Sequence, residues 1–156
     1  MSEAKQLPKR EEIDTHLTWD LTAIFKDTQA FEDAYSALSE EITKADQMKG
    51  TLGKGSQEFL NGIEYLLDVY RKIEVIYVYA HLKNDQDTAN AEQQALYARA
   101  ATLYSKVGEA VAWFEPEVLS LSDEQIWAFF QQTPELEVYR HFVENILDSR
   151  SHVLSE

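Results

Sequence analysis

A chain of 156 residues, 44% hydrophobic and 27% charged, sits near the globular average and is long enough to bury roughly 70% of its unfolded surface, which excludes a disordered polypeptide. Its 14 basic and 28 acidic residues leave a formal charge of −14, which repels phosphate backbones and anionic lipid and so argues against nucleic acid or membrane as partners. The absence of cysteine excludes disulfides, thiolate metal sites and Cys nucleophiles. Only five Gly and three Pro are present, a composition suited to long helices with few tight turns.

The opening MSEAKQLPKREEID has no apolar core of the kind a secretory leader carries. No uninterrupted apolar run approaches the ~20 residues of a bilayer span, and a cytoplasmic setting is expected. Residues 1–15 are polar and read as a flexible lead-in to a helical domain over 16–156. Trp19, with Leu21, Ile24 and Phe25 behind it, predicts a short turn in which the indole anchors against the helices.

Asp27 and Thr28 supply N-cap chemistry for a first helix. Phe31, Ala34, Tyr35, Leu38, Ile42 and Ala45 then share one face at helical spacing, and Gly50 is suited to the left-handed residue that closes it. The following Gly50–Ser56 stretch has Gly-Lys-Gly-Ser where a phosphate loop needs Gly-Lys-Ser/Thr, and a helix rather than a strand precedes it. It reads as a connector.

Ser56 is expected to cap a second helix reaching about residue 83, with Phe59, Leu60, Ile63, Leu66, Leu67, Tyr70 and Ile73 in register. Val75–Tyr79 has strand propensity, but the helical register runs through it without a breaker. Apolar residues on nearly every side of this segment predict a central helix buried on several faces. Asn84, Asp85, Gln86, Asp87 and Thr88 form an acidic turn, with Asp87 or Thr88 capping a third helix at about 88–114. Pro116 is expected to end that helix and to push Glu115 out of helical geometry.

Leu121-Ser122-Asp123-Glu124-Gln125-Ile126 carries a capping box, Ser122 with Gln125, and a hydrophobic staple, Leu121 with Ile126. Thr133-Pro134 restarts the chain into a fifth helix running to about Leu147. Leu154-Ser155-Glu156 repeats the apolar-Ser-acid opening of the fourth helix, which suggests the front part of a longer protein. The fold class is therefore all-α, an antiparallel bundle of about five helices with long central helices at about 56–83 and 88–114.

Catalytic and metal motifs are sparse. No two of His16, His81, His141 and His152 are spaced i, i+4 with a Glu after the first, as a helical zinc peptidase site needs. His141 with Glu137 or Glu144 reads as helical salt bridging, and His81 as a hydrogen-bonded, half-buried side chain. Asp85 and Asp87 imitate the start of a calcium loop, but Ala89, Asn90 and Leu96 stand where its further ligands and glycine belong. No nucleophile elbow occurs, and the aromatics fall at core spacing. No catalytic or metal residue is assigned, and no substrate-binding residue is identified. The structural turn and cap residues are Asn84, Asp85, Asp87, Thr88, Ser122 and Gln125.

The run YAHLKNDQDTAN at 79–90, QALYARA at 94–100 and HVLSE at 152–156, with a weaker Trp-Asp-Leu match at 19–21, resembles the N-terminal region of oligoendopeptidase F, a thimet-oligopeptidase-like zinc metallopeptidase. The resemblance spans Trp19 to Glu156. It implies a mostly helical hydrolase that cuts internal bonds of oligopeptides and holds zinc on a His-Glu-x-x-His helix with a downstream Glu. None of those ligands matches a position in this sequence. The part implied here is the non-catalytic helical domain, one wall or lid of the peptide channel, inactive alone and without a cofactor of its own. Its partners would be the C-terminal catalytic domain, the oligopeptide substrate and, through an exposed docking face, a second copy. A stand-alone helical protein- or peptide-interaction domain is the alternative. A cytokine-like bundle fits less well, since secretion signal and cysteines are both missing.

Overall fold

The computed structural model describes residues 8–152, and side chains through Arg150. Among the described residues six α-helices run in order: α1 Thr28–Glu41, α2 Ser56–Gln86, α3 Ala91–Val111, α4 Phe114–Ser120, α5 Asp123–Gln132 and α6 Arg140–Asp148. Short 3-10 segments link or extend them, and no strand occurs among the described residues. The all-α expectation is borne out, and Val75–Tyr79 is helical.

The axis of the fold is α2, 31 residues long. Against it lies α3, and the direction follows from side-chain pairs: His81 meets Tyr97 at 5.2 Å between ring centroids, and Tyr77 meets Tyr104 at 5.4 Å. Residue numbers fall along α2 as they rise along α3, so the two helices are antiparallel. On another side of α2, Tyr79 stacks on Phe31 of α1 at 5.6 Å, and on Phe25 edge-on at 5.1 Å. Phe59 reaches Phe129 of α5 at 5.6 Å. Phe31, Phe59, Ile63, Ile73, Leu103 and Ile126 are among the fully buried side chains of the core. Each contributes about 1.5–3 kcal/mol by leaving water.

Several local expectations are corrected. The first helix is α only to Glu41 and continues as a 3-10 segment, Ile42–Gln47. The Thr43 hydroxyl donates to the Glu40 carbonyl at 2.6 Å, a side-chain bond that competes with the backbone ladder. Gly50 does take the left-handed conformation, with φ 78°. The third helix starts at Ala91 and ends at Val111 rather than spanning 88–114.

Pro116 does not stop a helix but opens one. It sits third in α4, where the N–H it lacks has no intrahelical acceptor to lose, and Glu115 is helical. The fifth predicted helix likewise begins as a 3-10 segment, Pro134–Tyr139, before α6 takes over. Trp19 is 70% exposed and anchors nothing with its ring. Buried Leu21 and the Phe25 ring hold that turn instead, with Asp20 capping the backbone of Thr22 at 2.9 Å.

Candidate functional site

The connector between α1 and α2 is fixed by side chains from the far half of the chain. Glu117 of α4 accepts the backbone N–H of Gly50 at 2.7 Å and of Leu52 at 2.8 Å. Gln125 of α5 donates its side-chain amide to the Gly53 carbonyl at 3.0 Å. The Thr133 hydroxyl donates to the Ser56 hydroxyl at 2.7 Å. Ser56 is therefore the first residue of α2 and not its cap, a position held by Gly55. Of the predicted capping box only half forms: Ser122 accepts the Gln125 N–H at 3.1 Å, while the Gln125 side chain leaves for Gly53.

At the other end of α2, roughly 45 Å away at 1.5 Å per residue, lies the acidic turn. Asn84, Asp85 and Gln86 are its last helical residues, and Asp87 is the C-cap, its N–H on the Asn84 carbonyl at 3.2 Å. Neither Asp87 nor Thr88 caps α3. Asn90 does, accepting the N–H groups of Glu92 and Gln93 at 3.0 and 3.2 Å. Asp87 accepts the Ala89 N–H at 3.1 Å, and the Thr88 carbonyl accepts the Gln94 side chain at 2.6 Å. The six turn and cap residues thus form two separate groups, one at each end of α2.

The histidines are dispersed. His81 is exposed rather than half-buried, flanked by the rings of Tyr77 and Tyr97, with Nε2 3.5 Å from Asp85. His141 contacts Asn145, and Glu137 pairs with Arg140 at 2.7 and 2.8 Å instead of with His141. Among the described residues no three His, Cys, Asp or Glu side chains gather where a metal could bind.

Two polar links tie α3 to its neighbours, one to α1 and one to α2. Arg99 forms a bidentate pair with Glu32, both bonds 2.7 Å, and lies 4.6 Å over the Tyr35 ring. The Arg99 hydrogen bonds hold the Glu32 carboxyl below the usual glutamate range. Tyr77 and Tyr97 share a hydroxyl–hydroxyl bond of 2.8 Å, which raises the Tyr77 phenol.

What remains bare is the outward face of α2. Val75 and Val78 are 41% and 45% exposed. Val75 borders an apolar groove against Ala34 and Ala37 of α1, and Val78 borders a mixed one with Glu74, Ala101 and Tyr104. Leu17 and Trp19 stand beside Leu82 and Asp85 at the end of the same face. The all-round apolar character of this stretch was visible in the sequence. The role of Glu117 was not, because its bonds depend on where α4 lies.

The fold and this surface define an all-helical region with no metal cluster among its described residues and one apolar helix face open to solvent. A family model described as Oligopeptidase F matches residues 117–156. Group B oligopeptidase PepB of Streptococcus agalactiae is 39% identical over 94% of this chain and 24% of its own length, and Oligopeptidase PepF of Bacillus subtilis is 35% identical over 98% and 23%. The crystal structure of oligoendopeptidase-F from Enterococcus faecium matches with TM-score 0.76 and 60% identity over 83% of this chain and 26% of that one. A putative peptidase from Chlamydophila abortus matches with TM-score 0.83 and 27% identity over 96% and 25%. The chain corresponds to the N-terminal region of oligoendopeptidase F homologues, as the YAHLKNDQDTAN and QALYARA runs imply. It spans about a quarter of the length of the curated relatives it matches.

Proposed function

We propose that this chain is the helical N-terminal domain of a zinc-dependent oligoendopeptidase that hydrolyses internal bonds of short peptides, contributing a wall or lid of the substrate channel and inactive alone. The observation that carries this reading is the match of nearly the whole chain to about a quarter of each peptidase relative. In this reading residues 1–15 lead into a domain over 16–156, the parent works in the cytoplasm, and its catalytic domain supplies the zinc and the oligopeptide chemistry. The described residues hold no ligand set for that ion, and no step of the reaction is assigned to them. A stand-alone helical interaction domain would also display the bare α2 face; the extent of the peptidase match favours the first reading.

The test is to incubate the chain with an internally quenched oligopeptide and zinc. The peptide is expected to stay intact over hours. Chelator-sensitive cleavage would overturn the proposal.

A further inference from the structure

The outward face of α2 is self-complementary. We propose that α2 pairs antiparallel with α2 of a second copy of this chain, about a two-fold axis passing at Val78. The inference stands on the geometry of α2 and does not rest on the peptidase reading.

A helix that is apolar on every side is one that packs on every side. Through Val75–Val78 three sides of α2 are taken by its own chain, and the fourth shows valines, poor helix formers that gain nothing from standing in water. Residues three and four apart share one helix face. On this face Arg71 stands seven residues before Val78 and Asp85 seven after it, all three exposed. Arg71 has no carboxylate partner among the described residues, whereas its neighbour Lys72 is held by Glu41 and Asp68.

A two-fold axis lying across the helix at Val78 turns each of these features onto its complement. Val78 meets Val78 of the second copy, and Val75 meets half-buried Leu82, with Leu17 and Trp19 beside it. Arg71 reaches Asp85. The axis keeps the α3 side of one copy against the α3 side of the other, and there Glu74, which borders the α2–α3 groove, meets His81, which leans on Tyr97. Parallel pairing would instead set Arg71 on Arg71 and Asp85 on Asp85, a juxtaposition like charges oppose. One helix face covers less than the roughly 800 Å² per partner of a stable complex, so the dimer is weak, with a dissociation constant on the order of tens of micromolar.

The test uses the full chain, which has no native cysteine, so any disulfide reports the position introduced. Under mild oxidation Val78→Cys is expected to cross-link into a dimer. Glu124→Cys, exposed at the start of α5 beside the connector, is expected to remain monomeric. In sedimentation equilibrium, Arg71→Glu and Asp85→Arg should each weaken association on the order of tenfold, and the double variant should restore it. All these positions are exposed, and circular dichroism checks that each variant keeps its helix content. A wild-type chain monomeric at millimolar concentration overturns the proposal. So does equal cross-linking at 78 and 124, or a charge swap that fails to restore association.

Discussion

Glu117 binds the backbone of Leu52 across 65 residues of sequence, accepting its N–H at 2.8 Å while its other oxygen takes the Gly50 N–H at 2.7 Å. A carboxylate accepting two backbone donors in a partly buried setting is a stronger tie than a neutral bond. Glu117→Ala is expected to cost about 1–3 kcal/mol by leaving both donors unmade. At this chain length that lowers the melting temperature by roughly 3–10 °C, read by circular dichroism in a thermal scan.

Two helical glycines are expected to respond oppositely to alanine. A Cβ at Gly62 of α2 would collide with the Leu52 side chain, which is fully buried and has no room to turn away. Gly62→Ala should therefore destabilise by about 1–3 kcal/mol, overriding the helix-propensity gain. At Gly108 of α3 nothing lies within 4 Å, and Gly108→Ala should stabilise by about 0.5–1 kcal/mol. Urea denaturation of the two variants beside the parent chain separates the signs.

The Glu32–Arg99 pair predicts a pH dependence on the acid side. Hydrogen bonds from Arg99, opposed by partial burial and aided by its charge, hold the folded carboxyl below the ordinary glutamate value of 4.5. A depressed carboxyl stabilises fully above its unfolded pKa, and the contribution is lost as pH falls through the folded one. Both side chains are partly exposed, so the pair contributes only about 0.2–1 kcal/mol. Glu32→Gln should thus be less stable than the parent at pH 7, and the two should converge once the pH drops below the folded carboxyl's range. Denaturation midpoints measured from pH 7 downward check this.

Features set by neighbours in sequence are legible from the sequence alone. Ser122 caps α5 through the N–H three residues on, and the helical register through Val75–Tyr79 overrode strand propensity. Legibility failed where a distant group competes for the same atom. Gln125 had the right spacing to complete its capping box, but the Gly53 carbonyl, 72 residues away, takes its side chain. Asp87 and Thr88 offer cap chemistry in the sequence, but α3 is capped by Asn90 because the Asp87 position closes α2. Pro116 is ambiguous in sequence because proline both ends helices and fits their first turn, the place it takes in α4. The bare α2 face was foreshadowed by composition, but its two-fold correspondence about Val78 required knowing which sides of α2 the rest of the chain occupies.

The bond between Thr133 and Ser56 has a temporal side. During synthesis at roughly 5–20 residues per second, Ser56 leaves the ribosome several seconds ahead of Thr133, its acceptor and donor being 77 residues apart. Gly50 and Leu52 likewise wait on Glu117, and Gly53 on Gln125. In that interval α1, α2 and α3 can associate through local contacts, yet the joint between the first two stays unlatched, giving a nascent chain whose front half closes only when its back half arrives.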